Sequence, residues 1–376
     1  MDIKIDNLSE AFILGIGTSV PEYSSKQSDI FDKLNKICDI APKKQRVFKE
    51  IFRKSAINNR HTVLEESLEK SGVTYLLQSE NSEKGLSVED RNKIYIEKAP
   101  KLSFQSAKRA LEQWSGDAKD ITHVISISCT GMYAPGLEAY LQKNLKLSNN
   151  VDRLAINYMG CFGAFKGLSV AESIAKSDKK ARILVVCTEL CSLHVQLTTE
   201  LESFVPNALF ADGAAAIIVG ASPLDDEEPL WKIINTRSEI IPDTMDLMTW
   251  NISNNGFLMH LDRKVPQIIK SHTKSFIEGL LNEYNIKNME CEWPIHPGGR
   301  SIIEAIAEAM NLSKDSLEST YSVLAKYGNM SSATFLFVLK EMLHKKQSGL
   351  KQWSIGLGFG PGLSFEGVLL ENYYAK

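Results

Sequence analysis

Three side chains that together could support covalent chemistry sit where the backbone of this sequence changes character. Cys161 lies in Ala155-Ile156-Asn157-Tyr158-Met159-Gly160-Cys161-Phe162, after an apolar run and before a helix of small residues. The run Leu154-Ala155-Ile156 reads as a short buried strand that breaks at Tyr158-Met159-Gly160. Backbone N–H groups at a helix start carry partial positive charge and ease loss of a thiol proton. Gly160, Gly163, Ala164 and Gly167 keep side-chain bulk low around the sulfur. His296 lies in Ile295-His296-Pro297-Gly298-Gly299, and Asn329 in Tyr327-Gly328-Asn329-Met330-Ser331-Ser332.

Each of the three has an ordinary reading: a buried structural cysteine, a turn histidine and an asparagine N-cap. Their joint placement at strand-to-helix breaks favours chemistry. A histidine within reach holds a thiol as a thiolate–imidazolium pair, which sets the expected pKa of Cys161 below the free value of about 8.5. An asparagine N–H and the imidazole together donate to a thioester carbonyl where negative charge develops. The set suits acyl transfer to sulfur followed by carbanion formation through decarboxylation. A protease-like use needs the asparagine to orient the histidine, and neither order nor pattern points there.

These residues need a scaffold, and composition bounds it. The chain has 376 residues, 43% apolar and 24% charged, with a net charge of −3. That composition fits a soluble globular protein of two domains or a duplicated one, and gives no polyelectrolyte signal for nucleic acid. No apolar run approaches the ~18 residues needed to cross a membrane. The first ten residues are acidic and lack the basic and apolar regions of a signal peptide. Six cysteines are scattered without a C-x-x-C pair, so neither a metal site nor a disulfide framework is expected, and a reduced cytoplasmic setting is.

In the first half, residues 12–17 read as a strand ending at a glycine turn. Residues 23–115 read as mostly helical, with helices over 28–38, 42–56 and 103–114 and a loop or poorly packed helix over 76–98. The basic run of 42–56 is a solvated helix face or a phosphate contact through Lys49, Arg53 or Lys54. From residue 121 the pattern is α/β, with strands at 121–128, 182–187 and 212–220, a helix at 136–145 and a loop at 188–211. The acidic, proline-ended stretch 225–229 is the expected boundary between an N-terminal half, 1–224, and a C-terminal half, 225–376.

The second half reads as a repeat of the first. A helix over 265–284 precedes a short strand, Cys291-Glu292-Trp293-Pro294-Ile295, and a helix from about Ser301. Tyr321-Ser322-Val323-Leu324-Ala325-Lys326-Tyr327 reads as a further strand leading to Asn329 and a helix to about Leu343. Two strand-like runs close the chain, joined by Gly358-Phe359-Gly360-Pro361-Gly362. Two copies of one unit place Cys161 and Asn329 at equivalent helix starts, with His296 nearby.

At these motifs, together with Ala208-Leu209-Phe210-Ala211-Asp212-Gly213, the chain resembles the type III polyketide synthases. These are chalcone-synthase-like condensing enzymes of the thiolase fold, and the resemblance runs from about residue 12 to the C-terminus. It implies a duplicated αβαβα, five-layered fold and a homodimer. It further implies that Cys161 carries the growing chain as a thioester and that His296 and Asn329 bind the malonyl-coenzyme A carbonyl during decarboxylation. Phe210 matches the gate between a coenzyme A tunnel and the cavity, and the Gly-Phe-Gly-Pro-Gly loop scaffolds that cavity. Met259 replaces a second gatekeeper phenylalanine. Cys129, Cys191 and His194 align with cavity positions that are small or hydroxylic in plant chalcone synthases, and Ser331 joins the same set. The stretch around Trp250 is more similar to the bacterial branch, and Lys54 aligns with a basic coenzyme A cluster.

The expected substrates are an acyl-coenzyme A starter and malonyl-coenzyme A, with no further cofactor and no metal. A soft apolar cavity favours fatty starters over hydroxylated rings and leads to alkylpyrones or alkylresorcinols. The rivals are a ketoacyl synthase of the third type, fed by acyl carrier protein, a cysteine acyl-thioester hydrolase and a catalytically silent binding paralogue.

Overall fold

The computed structural model describes residues 9–65, 85–224, 226–282, 284, 286–287, 291–344 and 351–374. Asp225 of the expected boundary and residues 76–80 and 81–84 of the polar run lie outside the described residues. Among the described residues there are thirteen strands: β1 Ala11–Ser19, β2 Tyr23–Lys26, β3 Asn59–Thr62, β4 His123–Ser128, β5 Asp152–Asn157, β6 Arg182–Leu190, β7 Asp212–Gly220, β8 Trp231–Ile240, β9 Met248–Ser253, β10 Gly256–Leu261, β11 Cys291–Glu292, β12 Trp353–Gly360 and β13 Ser364–Asn372. The described α-helices are α1 Gln27–Ile37, α2 Pro42–Lys54, α3 Val88–Gln113, α4 Leu137–Asn144, α5 Gly163–Ser177, α6 Leu201–Asn207, α7 Val265–Leu280, α8 Arg300–Met310, α9 Glu318–Tyr327 and α10 Thr334–Met342.

Nine strands form one sheet in the order β11-β12-β13-β8-β1-β7-β6-β4-β5. It divides into two runs with the same pairing senses. In β1-β7-β6-β4 the first two pairings are antiparallel and the third is parallel. In β8-β13-β12-β11 the same senses recur. The runs meet only where Ala11–Ile13 of β1 pair with Trp231–Ile233 of β8.

The layering follows from which side chains each strand buries. On β6, Ile183, Val185 and Cys187 face one core while Leu184 and Val186 face another, the alternation of a strand covered on both faces. The first core holds α5 and α10, which pack together through Phe165 and Phe335 with ring centroids 4.2 Å apart. Helix α10, Thr-Phe-Leu-Phe-Val-Leu-Lys-Glu-Met, is buried along almost its whole circumference, as a helix apolar on all sides must be. Outside the first run, Ala107 and Ala110 of α3 cover Leu184, Val186 and Ile218. Outside the second, Ile269 of α7 and Ile303 of α8 cover Ile355, Leu357 and Leu369. The result is helix, sheet, helix, sheet, helix. No described helix is long and apolar enough to cross a membrane.

Four sequence expectations need correction. The 321–327 run is not a strand but the end of α9, where Thr320, Val323 and Leu324 are buried at helical spacing. Short apolar runs of this length are ambiguous in period. Strand β5 is not buried: it is the unpaired edge of the sheet, and Leu154 is 43% exposed. The described part of 76–98 is no loop from Val88 onward, because α3 is one 26-residue helix that continues through Pro100. Ser87 caps it by accepting from the Asp90 N–H, and its buried face uses Arg91 and Tyr95, which hid the stripe from a hydrophobicity reading. Finally, the 188–211 loop holds the end of β6, a 3-10 turn over Cys191–His194 and α6. The strands β2 and β3, which pair antiparallel, and the hairpin β9–β10 carried no clear sequence signal.

Candidate active site

Cys161 sits in a 3-10 turn, Gly160–Phe162, that runs directly into α5. The turn requires unusual backbone, with φ of +60° at Tyr158 and +68° at Gly160. Glycine takes the second without strain, and a Cβ there would stand 2.7 Å from Pro361 Cδ. The Gly-Phe-Gly-Pro-Gly loop thus packs onto the turn that carries the sulfur. Gly360 belongs to the same contact, since a Cβ on it would meet the Phe162 ring at 2.4 Å.

Asn329 comes from the opposite half, in the turn between α9 and α10. Its Nδ2 lies 3.8 Å from Cys161 Sγ and donates to Gly298 O at 3.2 Å. Its Oδ1 accepts from the Ser331 N–H at 2.9 Å and from Thr334 Oγ1 at 3.4 Å. Those two donors fix which way round the amide stands. His296 is wholly buried, and neither Nδ1 nor Nε2 has a hydrogen-bond partner. Its backbone is pinned by donation to Leu357 O at 2.8 Å. Gly298 joins the two residues: a Cβ on it would stand 3.9 Å from His296 Nε2. The Asn329 amide thus stands beside the sulfur, and the His296 ring, next to the Gly298 turn that this amide binds, has nothing to bind.

No hydrogen bond connects His296 to Cys161, so the thiolate–imidazolium pair expected from the sequence is not formed in this structure. Burial pushes the Cys161 thiol up to about 12, with Ser331 and Asn329 acting the other way, and pushes His296 down to about 3. The start of α5 also favours the thiolate. These opposing effects give a measurable expectation. In His296→Ala, alkylation of Cys161 by iodoacetamide should be slow at pH 7 and climb about tenfold per pH unit, as a thiolate fraction does far below its pKa. The wild type should react at least about tenfold faster at pH 7 if proton transfer to the imidazole is available. Equal rates in the two proteins would remove His296 from any role in holding the thiolate.

Behind the sulfur lies Glu189, a residue the sequence reading missed. It is fully buried in β6 and accepts from Cys129 N at 3.1 Å, Cys129 Sγ at 3.1 Å, Thr130 Oγ1 at 2.8 Å and Ser332 Oγ. Burial raises its pKa, against those donors. Ser331 adds a contact of 3.2 Å to Cys129 Sγ and holds a left-handed φ of +47°. The signal was available: a lone glutamate inside Arg182-Ile183-Leu184-Val185-Val186-Cys187-Thr188-Glu189-Leu190 is out of place unless it is hydrogen-bonded.

The remaining cavity residues do come together. Cys191, His194, Phe210, Trp250 and Met259 line one small cavity, with Phe257 as a further wall that the sequence reading did not name. The polar groups of His194 and Trp250 are already paired within the protein. His194 Nε2 donates to Thr130 O at 2.7 Å while its Nδ1 accepts from the Phe257 N–H at 3.1 Å. The imidazole stacks on Phe257 at 4.1 Å, and burial holds its pKa down to about 3. Trp250 Nε1 donates to Cys129 O at 2.7 Å. The free volume is about 30 Å³, room for little more than one water-sized group.

A larger cleft of about 510 Å³ opens between α1 and α2, lined among others by Lys26, Lys49, Phe52 and Arg53. Lys54 is exposed at the last residue of α2 but does not line it. Arg53 is held by Glu50 in an exposed, bidentate pair at 3.0 and 2.7 Å.

Residues 3–223 match the N-terminal domain of chalcone and stilbene synthases, and residues 232–373 match their C-terminal domain. A protein named probable polyketide synthase 1, from Dictyostelium discoideum, is 36% identical over 371 residues. The match covers 97% of this chain but 12% of that protein, so the chain spans only a small part of the relative's length. The crystal structure of the C-terminal type III polyketide synthase domain of Steely1, described as a type I/III hybrid from Dictyostelium, superposes with a TM-score of 0.91 at 34% identity. That superposition covers 97% of this chain and 99% of the other. By both domain matches and by this likeness, the chain belongs to the chalcone and stilbene synthase family, the type III polyketide synthases of the thiolase-like fold.

Proposed function

We propose that this chain is a condensing acyltransferase that extends an acyl-coenzyme A starter with malonyl-coenzyme A and cyclises the product. The carrying observation is the Asn329 amide N–H beside Cys161, bound to the Gly298 carbonyl, together with a buried His296 at the same turn whose ring nitrogens have no partner. A buried polar group left unpaired is costly, and a thioester oxygen between the two donors removes that cost. In this reading the Cys161 thiolate takes the starter acyl group and releases coenzyme A. Malonyl-coenzyme A then binds with its thioester carbonyl on His296 and Asn329. Loss of CO2 leaves an enolate whose negative oxygen those donors stabilise. Its carbon attacks the Cys161 thioester, the sulfur departs as thiolate, and the cycle repeats.

Phe210 presents an apolar face at the cavity, which disfavours the malonyl carboxylate and so favours its loss as CO2. In this reading Lys26, Lys49 and Arg53, which line the larger cleft, meet coenzyme A phosphates, with Lys54 further out. No further cofactor is part of the reading. The starter is a fatty acyl group and the product an alkylpyrone or alkylresorcinol. Two facts support that choice: the donors of His194 and Trp250 are engaged within the protein, and Met259 is the flexible wall. An entering chain must displace Met259 or Phe210, which keeps extensions few.

The unpaired edge of β5, with Leu154 exposed, is where a second copy is proposed to add its own strand and form a homodimer. The division near residue 225 into two related halves belongs to the same reading, supported by the matching strand orders. So does a reducing, cytoplasmic setting, supported by six free thiols.

The test is incubation with fatty acyl- and hydroxycinnamoyl-coenzyme A, with and without malonyl-coenzyme A and without any carrier protein, followed by mass analysis. Pyrones or resorcinols, with a higher kcat/KM for a fatty starter, are expected. Free acid formed without malonyl-coenzyme A would instead indicate a hydrolase. Dependence on carrier protein would indicate a ketoacyl synthase.

A further inference from the structure

Arg60, on β3, is a charged residue with an unusual set of partners. It is 5% exposed, and its Nη1 donates to two backbone oxygens, Asn207 O at 2.8 Å and Phe210 O at 2.7 Å. Its Nε and Nη2 are buried without a partner. Asp212 is its opposing charge, yet that carboxylate accepts from Val63 N, Ser192 N and Ser192 Oγ, so it acts on Arg60 through space. Burying a guanidinium to bridge two carbonyls is costly, and a neutral amide would satisfy one of them.

The geometry gives this arrangement a purpose. The stem of Arg60 crosses Gly328, where a Cβ would stand 2.9 Å from its Cγ and 3.1 Å from its Cδ. The next residue is Asn329. Its N–H donates to Leu209 O at 2.9 Å, and its carbonyl accepts from Ala211 N at 2.8 Å, so its backbone brackets Phe210. One guanidinium thus holds the gate's carbonyl and packs against the residue before the amide donor. We infer that Arg60 is a positioning residue that fixes the Phe210 backbone and, through the Leu209–Asn329–Ala211 pairing, sets the Asn329 amide opposite Cys161. This rests on the function proposed above. Its planar fork, rather than its charge, is what holds two carbonyls in one geometry, so lysine is no equivalent.

The experiment measures malonyl-coenzyme A decarboxylation and starter loading on Cys161 separately in Arg60→Gln, Arg60→Lys, Asn329→Ala and the double variant Arg60→Gln/Asn329→Ala. Arg60→Gln should lower the kcat of decarboxylation roughly 10- to 100-fold, the scale of a small misplacement of a donor. KM for malonyl-coenzyme A and starter loading should stay near wild type. Arg60→Lys should show the same selective loss in smaller measure, and it serves if Arg60→Gln does not fold. The double variant should be no slower than Asn329→Ala, because both changes act on one donor. Full decarboxylation in Arg60→Lys or Arg60→Gln, parallel loss of loading and decarboxylation, or losses that multiply would each overturn the inference. An Asn329→Ala protein that decarboxylates normally would overturn the proposed function as well, whereas normal Arg60 variants beside a crippled Asn329→Ala overturn the inference alone.

Discussion

Cys161→Ala should take up no acyl group from a starter and form no product, with activity down by roughly 10⁴-fold or more, the scale of losing a nucleophile. The fold should survive. The sulfur's contacts with Asn329 are long, at 3.8 and 3.9 Å, and Asn329 Oδ1 keeps its stronger donor, Ser331 N at 2.9 Å. Removing the sulfur therefore strands no buried polar group, and alanine suits the start of a helix. Intact mass after incubation with starter alone reads the loading step, and thermal unfolding reads the fold. The outcome that would sink the assignment is an acyl adduct on Cys129 or Cys191 in a Cys161→Ala protein that still makes product. Neither is expected: burial raises both thiols well above their ordinary range, and the Asn329 amide lies beside Cys161 Sγ instead.

The turns that carry the candidate residues were more legible than several of the elements around them, for a physical reason. Cys161, His296 and Asn329 stand at breaks marked by glycine, and glycine is required there by positive φ or close approach, as at Gly160 and Gly328. Such punctuation survives in a one-dimensional reading. What did not survive was anything whose partner lies far along the chain. The exposure of β5 is set by its place at the sheet edge, which the apolar Leu154 and Ile156 do not announce. The 321–327 run has both strand-like and helical spacing, and packing of Val323 and Leu324 settled it as helix. Arg91 and Tyr95 disguised α3 because a buried charged residue breaks the stripe while its hydrogen bonds, such as Arg91 Nε to Leu86 O at 3.0 Å, lie elsewhere.

Glu189 and Arg60 follow the same pattern. Each is charged, buried and surrounded by groups from other segments. A sequence scan for charges out of register would have found Glu189 on β6, whereas β3 is too short and too polar to make Arg60 stand out. The cavity shows the limit from the other side. His194 and Trp250 were named by resemblance, but that their polar atoms are engaged by Thr130, Phe257 and Cys129 is visible only in three dimensions. That engagement changes the chemistry of the wall. It makes a histidine behave as a flat aromatic surface.

Asn329→Ala should separate the two half-reactions. The Cys161 thiol remains, so starter loading should persist at a rate set by the sulfur and His296. Decarboxylation of malonyl-coenzyme A should fall by roughly 100-fold or more, the usual effect of removing one oxyanion donor, which corresponds to about 2.7–4 kcal/mol. The alanine variant also deprives Ser331 N of its acceptor at 2.9 Å and Thr334 Oγ1 of one at 3.4 Å, so part of any loss reflects a loosened turn. Asn329→Asp tests the turn separately, at the loss of the hydrogen bond from Nδ2 to Gly298 O. Its carboxylate keeps an acceptor for both groups but has no N–H to offer the enolate, and its charge repels the developing oxyanion. If the donor is what matters, Asn329→Asp should decarboxylate at least as poorly as Asn329→Ala while retaining the turn. Release of CO2 from carboxyl-labelled malonyl-coenzyme A, read beside intact mass for loading, distinguishes the steps. Normal CO2 release with lost loading would mean that Asn329 serves the acyl-sulfur step and that the enolate is held elsewhere.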